Sequence, residues 1–229
     1  MRKMHALSLP DLLAGWLGAR SLAHGLPLPV ADHGGLRVDS GLPHENQRYV
    51  FAGPMQGIRE LGQSITTPYT LIKMCGTGEQ LLALVPPRWQ LQPSAYLMMR
   101  DGVRDGVPPL PAGYRIDVEE NYPIATVRIF AEDGALAAIG HAAEYAGVFI
   151  FDRIFTAAAH RRRGLGRVLM AALGAIQQSG AAQRVLVATE EGRALYSALG
   201  WYVRSPYSTV AIPPPPLPLI LTRKFEAFI

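Results

Sequence analysis

Apolar and polar positions follow two different periods along the chain, and residues 114–212 show both most clearly. Tyr114 to Glu119 alternates as a half-buried strand does, and Ala125 to Ala131 reads as a second strand. Glu132-Asp133-Gly134 is a hairpin signal. Ala135 to His141 returns from it, and Val148 to Thr156 is a long strand rich in Phe and Ile. The period then changes. Leu165, Val168, Leu169, Ala172, Leu173 and Ile176 fall at i, i+3, i+4, i+7, i+8 and i+11, which predicts a helix with one apolar face and a stop at Gly180. The continuous apolar run Arg184–Ala188 predicts a short strand, and Glu190–Leu199 a second helix closed by Gly200. Trp201–Arg204 and Tyr207–Ile212 read as two final strands. The order β-β-β-β-α-β-α-β-β belongs to the α/β or α+β class with a mixed sheet.

The first half is patterned more weakly. Leu12, Leu13, Trp16 and Leu17 predict an opening helix that ends near Gly25. Short strands are expected at Arg48–Ala52, Tyr69–Met74 and Ala95–Arg100, and helices at Met55–Leu61 and Glu79–Val85. Residues 101–113, with three prolines and three glycines, read as a linker. The expected division is therefore an α+β region at 1–100, the linker, and a second domain at 114–229. The prolines of Pro213–Pro218 predict a polyproline II spacer.

Composition narrows the class of protein. With 229 residues, 49% hydrophobic and 17% charged, the chain builds a core rather than a disordered ensemble. The net charge of +4 is spread over both halves, and 19 of the 22 basic residues are Arg, a bias that points to codon usage rather than to a nucleic-acid partner. The single cysteine, Cys75, forms no internal disulfide, and no Cys/His cluster has zinc spacing, so no metal is expected. Pro10 and Asp11 interrupt the apolar stretch after Met1-Arg2-Lys3, and no run approaches the ~18 apolar residues of a membrane span. A soluble, cytoplasmic protein without a membrane partner is expected.

One segment concentrates the chemistry. Ala158-Ala159-His160-Arg161-Arg162-Arg163-Gly164-Leu165-Gly166-Arg167 joins the long strand to the best helix. Glycines allow a tight turn, and a helix N-terminus offers free N–H groups and about half a positive charge. Between Arg153 and Thr189 there are six Arg and no Asp or Glu. A phosphate or pyrophosphate site fits this segment; so does a solvated, Arg-rich helix cap. It is neither a Walker loop nor the three-glycine dinucleotide fingerprint.

Two blocks tip the balance. Arg161-Arg162-Arg163-Gly164-Leu165-Gly166, after a fourth strand and opening a helix, resembles the Arg/Gln-x-x-Gly-x-Gly/Ala signature of the GCN5-related N-acetyltransferase (GNAT) family. Val185–Thr189 followed by Leu195-Tyr196-Ser197-Ala198-Leu199-Gly200-Trp201 resembles that family's second block, a strand and a helix ending in Tyr-x-x-x-Gly-aromatic. The likeness covers roughly residues 114–212, and the long unmatched first half is similar to the FR47-like branch.

The resemblance implies a GNAT fold in the C-terminal half and acetyl-CoA as acyl donor. It implies that the backbone of Arg161 to Gly166, including Leu165, holds the CoA pyrophosphate, with Arg162, Arg163 and Arg167 adding charge. Ile154, Phe155 and Thr156 would pair with the pantetheine arm. Thr189 stands where the family often has Asn, Gly192 where it has Ala, and Ala158 where it has Pro. Tyr196 corresponds to the family's general acid; by its spacing alone it reads as a core residue. Asp152 lies near the family's usual Glu and is the candidate base, or else a structural partner of Arg153, Arg128 or a loop amide. Glu190 and Glu191 read as helix-dipole partners, and His160 as packing or capping. Cys75 has nothing beside it to support an acyl-cysteine route.

Between Glu119 and Ala125 there is no room for the two helices that usually shape the family's acceptor site. Residues 1–112 are expected to cover that face, either as a separate α+β element or as a degenerate copy of the same fold. The expected activity is N-acetyl transfer to a small-molecule amine by direct attack in a ternary complex, in a monomer or homodimer. The competing reading is a non-catalytic acyl-CoA-binding or regulatory module.

Overall fold

The computed structural model describes residues 7–101 and 106–214. Most of the polyproline segment, and part of the expected linker, lie outside the described residues. Residues 106–113 carry no helix or strand.

The first element is helix α1 (Leu9–Ala23), whose Ser8 cap accepts a hydrogen bond from the Asp11 N–H and whose first turn carries Pro10, where no helical N–H is needed. Strands β1 (Val30–Asp32), β2 (Gly35–Leu42) and β3 (Glu45–Phe51) follow, then α2 (Gln56–Ser64), β4 (Thr70–Cys75), α3 (Gly78–Leu82), β5 (Gln90–Leu91) and β6 (Ala95–Arg100). The second half runs β7 (Tyr114–Asn121), β8 (Ile124–Ala131), β9 (Leu136–Tyr145), β10 (Val148–Thr156), α4 (Leu165–Ile176), β11 (Gln183–Thr189), α5 (Glu190–Ala198) and β12 (Tyr202–Ala211).

The strands form one mixed sheet in the order β1-β2-β3-β4-β12-β6-β11-β10-β9-β8-β7, with β5 added beside β12. Two pairs are parallel, β3 with β4 and β10 with β11, each joined by a crossover helix, α2 or α4. Apart from the two-residue β5 between α3 and β6, the sheet is therefore built from two similar runs, β3-α2-β4-α3-β6 and β10-α4-β11-α5-β12. Each run's last strand sits on the far side of the other's: β6 pairs with β11, and β12 with β4. Strand β6, from the first half of the chain, thus lies between β11 and β12 of the second.

Alternation along the strands assigns the two faces. Phe149, Phe151, Leu186, Ala188 and Met98 pack under α4 and α5, while Tyr49, Phe51, Ile72 and Met74 pack with Ile58, Leu61 and Leu81 of α2 and α3. The opposite face carries α1, whose Leu12, Leu13, Trp16 and Leu17 rest on Val50, Cys75, Leu97, Val148, Ile150, Val185 and Tyr207. The helix lies close because Gly15 and Gly18 face the sheet; a Cβ on Gly18 would sit 2.4 Å from the Tyr145 ring.

Some local expectations differ in detail. The two last strands are one, β12, with an irregularity between Val203 and Ser205. Helix α4 stops at Ile176, four residues before Gly180, where the Gln177 side chain turns to the Ser179 and Ala182 carbonyls. Strands β1 and β2 had no clear alternation to reveal them. The Glu132–Gly134 turn forms as expected, with Asp133 accepting from the Ala135 N–H and Gly134 at φ +84. Strands β7 and β8 are joined directly through Tyr122-Pro123, and α1 crosses β9, β10 and β11 on one face.

Candidate active site

The site begins where two neighbouring strands part. Strands β10 and β11 pair only from Val148/Gln183 to Ile150/Val185. Beyond that point β10 stays with β9 as far as Thr156, and β11 stays with β6 as far as Thr189. The pairing of β10 with β9 slips between Asp152 and Phe155, and Arg153 takes φ +49, so the strand bends away from β11. Gly140 lies under this bulge; a Cβ there would come within 2.6 Å of Ile154.

The wedge widens into a cleft of about 620 Å³ on the α4/α5 face. Of the residues singled out from the sequence, Ile154, Phe155, Thr156, Arg161, Arg162, Gly164, Leu165, Gly166, Arg167, Thr189 and Tyr196 line it. Two do not. Arg163 turns away and donates from Nη1 to the Tyr114 hydroxyl (3.1 Å), which also contacts His160 Nδ1 at 3.0 Å. Asp152 faces the other side of the sheet, toward α1.

The cleft has the features of an anion cradle. Gly164 caps α4 at φ +80 with open space beside its α-carbon, no side chain caps the helix, and its first turn holds no acid. The first N–H groups of a helix have no acceptor within it, so those of Leu165 and Gly166 are available to a ligand. Arg161 is partly committed: Nε donates to the Thr156 carbonyl (3.2 Å), and Nη1 lies 3.6 Å from Glu191. Glu191 thus brings an exposed carboxylate to the rim of a loop that is free of acids in sequence. Thr189 caps α5, its hydroxyl oxygen accepting from the Gly192 N–H (3.2 Å). Glu190 accepts hydrogen bonds from the Tyr96 hydroxyl and from Arg193, which hold its carboxyl below the usual range.

Tyr196 sits at the floor, only 8% exposed, with Trp201 edge-on at 6.3 Å. Burial, helped by the negative charge of Asp152, pushes its phenol up to about 12. Across the sheet, Asp152 is gripped by three partners. His24 Nε2 lies 2.5 Å from Oδ2, Arg20 Nε 3.7 Å from Oδ1, and Arg153 Nε 3.6 Å from Oδ2. Burial pushes this carboxyl up, but the His24 hydrogen bond and the charges of Arg20, His24 and Arg153 outweigh it and leave the pKa below its ordinary value. Arg153 in turn donates to the Ala23 carbonyl at 2.6 Å.

Arg20 and His24 are the residues that sequence reasoning missed. They lie 132 and 128 residues from Asp152. The available signal was the spacing Trp16, Arg20, His24, which puts an aromatic, a cation and an imidazole on one helical face. Cys75 is buried in β4, and burial pushes its thiol up to about 11. Among the described residues no group of three or more His, Cys, Asp or Glu side chains gathers as a metal site, and no helix is long and apolar enough to cross a membrane.

Comparison with known proteins agrees with this geometry. Residues 119–203 match the family model described as an acetyltransferase (GNAT) domain. A GCN5-related N-acetyltransferase from Kribbella flavida superposes with a TM-score of 0.63 at 16% identity, over 91% of this chain and 97% of that one. A GCN5-related N-acetyltransferase from Sphaerobacter thermophilus gives 0.51 at 14% identity, over 63% and 61% of the two chains. A GCN5-related N-acetyltransferase-like protein from Streptococcus suis gives 0.51 at 12% identity, over 73% and 80%. No curated protein matches the sequence. The chain has a mixed α/β fold that matches the GNAT fold, and its match to the acetyltransferase (GNAT) domain model lies in its second half.

Proposed function

We propose that this protein is an acetyl-CoA-dependent N-acetyltransferase that passes the acetyl group directly to the amine of a small molecule. The observation that carries the reading is the wedge between β10 and β11. Its cleft lies on one face beside the uncapped start of α4, and Asp152 and His24 stand on the other face of the same parted strand. A donor and an acceptor can therefore approach one point from opposite sides of the sheet.

The residues present fit the donor. The N–H groups of Leu165 and Gly166 and the side chains of Arg162 and Arg167, which pair with none of the described residues, suit a pyrophosphate, and the side of Ile154–Thr156 turned away from β9 suits an amide-bearing arm. Acetyl-CoA supplies an acyl carbon activated as a thioester. His24, oriented by Asp152, removes the proton that an attacking ammonium must lose, because the depressed pKa of Asp152 makes the carboxylate alone a weak base. The nitrogen bonds to the acyl carbon as the carbon–sulfur bond breaks, and the buried Tyr196 phenol gives its proton to the leaving sulfur. The Arg163 side chain, engaged with the Tyr114 hydroxyl, adds its charge from outside the cleft lining.

The first half of the chain completes the unit. Its run β3-α2-β4-α3-β6 repeats the order and the parallel pair of β10-α4-β11-α5-β12, which supports a degenerate copy of the same fold without the Arg-Gly loop. The extended first half is also what supports a place in the FR47-like branch. In this arrangement 1–100 and 114–229 act together, α1 walling the acceptor side. Calorimetry of the whole protein with acetyl-CoA, followed by a thiol-release assay over an amine library, tests the proposal. Binding in the micromolar range with thiol release is expected. Absence of binding refutes the donor, and binding without release from any amine refutes catalysis.

A further inference from the structure

The sheet face toward α1 carries hydrogen-bond donors without acceptors among the described residues. Trp16, Arg20 and His24 share one side of α1. Trp16 meets Tyr207 of β12 edge-on at 5.6 Å, and His24 meets Asp152. Arg20 stands between these contacts, about 6 Å along the helix from each. Its Nη1 and the Tyr207 hydroxyl are both buried with no hydrogen-bond partner among the described residues, where such buried atoms are few: Arg37 Nε and Gln183 Oε1 are the others. Tyr207 is 3% exposed.

A second cation stands beside them. Lys73 is on β4, two residues from Cys75, the register partner of Tyr207, so it shares their face of the sheet. It feels the charges of Glu45 and Arg20 but forms no ion pair or hydrogen bond with the described residues. Glu45 is already taken by Arg48 and Ser40, and Asp152 by His24, Arg20 and Arg153. Burial lowers the Lys73 ammonium to about 8, which still leaves most of it charged at neutral pH. The region therefore holds more positive than negative charge, together with two unanswered donors, one turn of helix from the His24–Asp152 pair. A carboxylate, with two oxygens that accept several hydrogen bonds, answers both deficits.

We propose that the acceptor is an amino acid whose carboxylate is bound by Arg20 Nη1 and the Tyr207 hydroxyl in the field of Lys73, with its amine turned toward His24 and Asp152. The proposal rests on the acetyltransferase reading and gives it a substrate class. The test is thiol release by the full chain with acetyl-CoA, comparing each of the common amino acids with its carboxamide, and calorimetry with acetyl-CoA alone. The structure requires at least one amino acid to be acetylated with a kcat/KM about 10- to 100-fold above that of its carboxamide, the range for losing a charged hydrogen bond. Tyr207→Phe, which keeps the ring against Trp16, should raise the KM for that amino acid by a similar factor without changing the acetyl-CoA dissociation constant. Equal turnover of acid and carboxamide, or no effect of Tyr207→Phe on KM, would mean that the orphaned donors hold buried water only and would overturn the proposal. So would acetyl-CoA binding with no amino acid turned over. Failure to bind acetyl-CoA would instead remove the acetyltransferase reading, and this proposal with it.

Discussion

Replacing Asp152 by Asn tests whether the joint between α1 and β10 is as tightly held as the geometry implies. The substitution keeps the shape of the side chain and removes its charge. One charge-assisted hydrogen bond, to His24 at 2.5 Å, is lost or weakened, along with two longer ion pairs, to Arg153 at 3.6 Å and Arg20 at 3.7 Å. The first contributes roughly 1.5–3 kcal/mol and each longer pair about 0.5 kcal/mol, and the carboxylate is only 18% exposed, so solvent screens little of this. The expected loss is about 3 kcal/mol at pH 7, or on the order of 6–12 °C in Tm for a chain of this size. The pH dependence fixes the cause. A carboxyl whose folded pKa lies below its unfolded value stabilises the fold above the unfolded value, near 3.8, and that stabilisation is lost as pH falls through the folded value. Urea unfolding of both proteins between pH 3 and pH 8 should therefore show a stability gap that is full at neutral pH and closes in the acid range. A gap below about 0.5 kcal/mol at pH 7, or one that does not shrink in acid, would refute the account of Asp152 as the charged anchor of α1.

The same structure sets three further outcomes. Tyr196→Phe should lower thiol release by roughly 100-fold with the acetyl-CoA dissociation constant unchanged by calorimetry; because the phenol is pushed up to about 12, the wild-type rate should show no loss from its ionisation below pH 10. Gly18→Ala should cost about 1–3 kcal/mol in denaturant unfolding, since its new methyl would lie 2.4 Å from a Tyr145 ring carbon and force α1 off the sheet. Cys75, buried and with its thiol at about 11, should resist iodoacetamide at pH 8 in the native protein and react only once urea unfolds it, as read by mass spectrometry.

How much of this was legible in the chain depends on the range of the forces concerned. Helix α4, strand β11 and helix α5 could be read because their apolar spacing and their glycine stops are local. The cleft residues from Ile154 to Arg167 come from one continuous stretch, so a strand, a turn and a helix start bring them together almost by themselves. Arg163 is the exception within that stretch, because its direction depends on Tyr114, 49 residues away. The acid-free character of the loop was a local fact too, and only the packing of α5 brought Glu191 to its rim.

The sequence by itself determined the period of the elements from β7 to α5, the class of fold, the bare helix start and the identity of the phenol on α5. Tertiary structure alone decided that β6 lies between β11 and β12, that α1 crosses β9, β10 and β11, and that Arg20 and His24 meet Asp152. The reason is physical. Local periodicity says which face of an element is apolar, but many partners can cover such a face. The choice among them is made by shape, as where Gly15 and Gly18 let α1 settle onto Val148 and Tyr145, and by the need of a buried charge for a partner, as where Asp152 draws in the far end of the same helix.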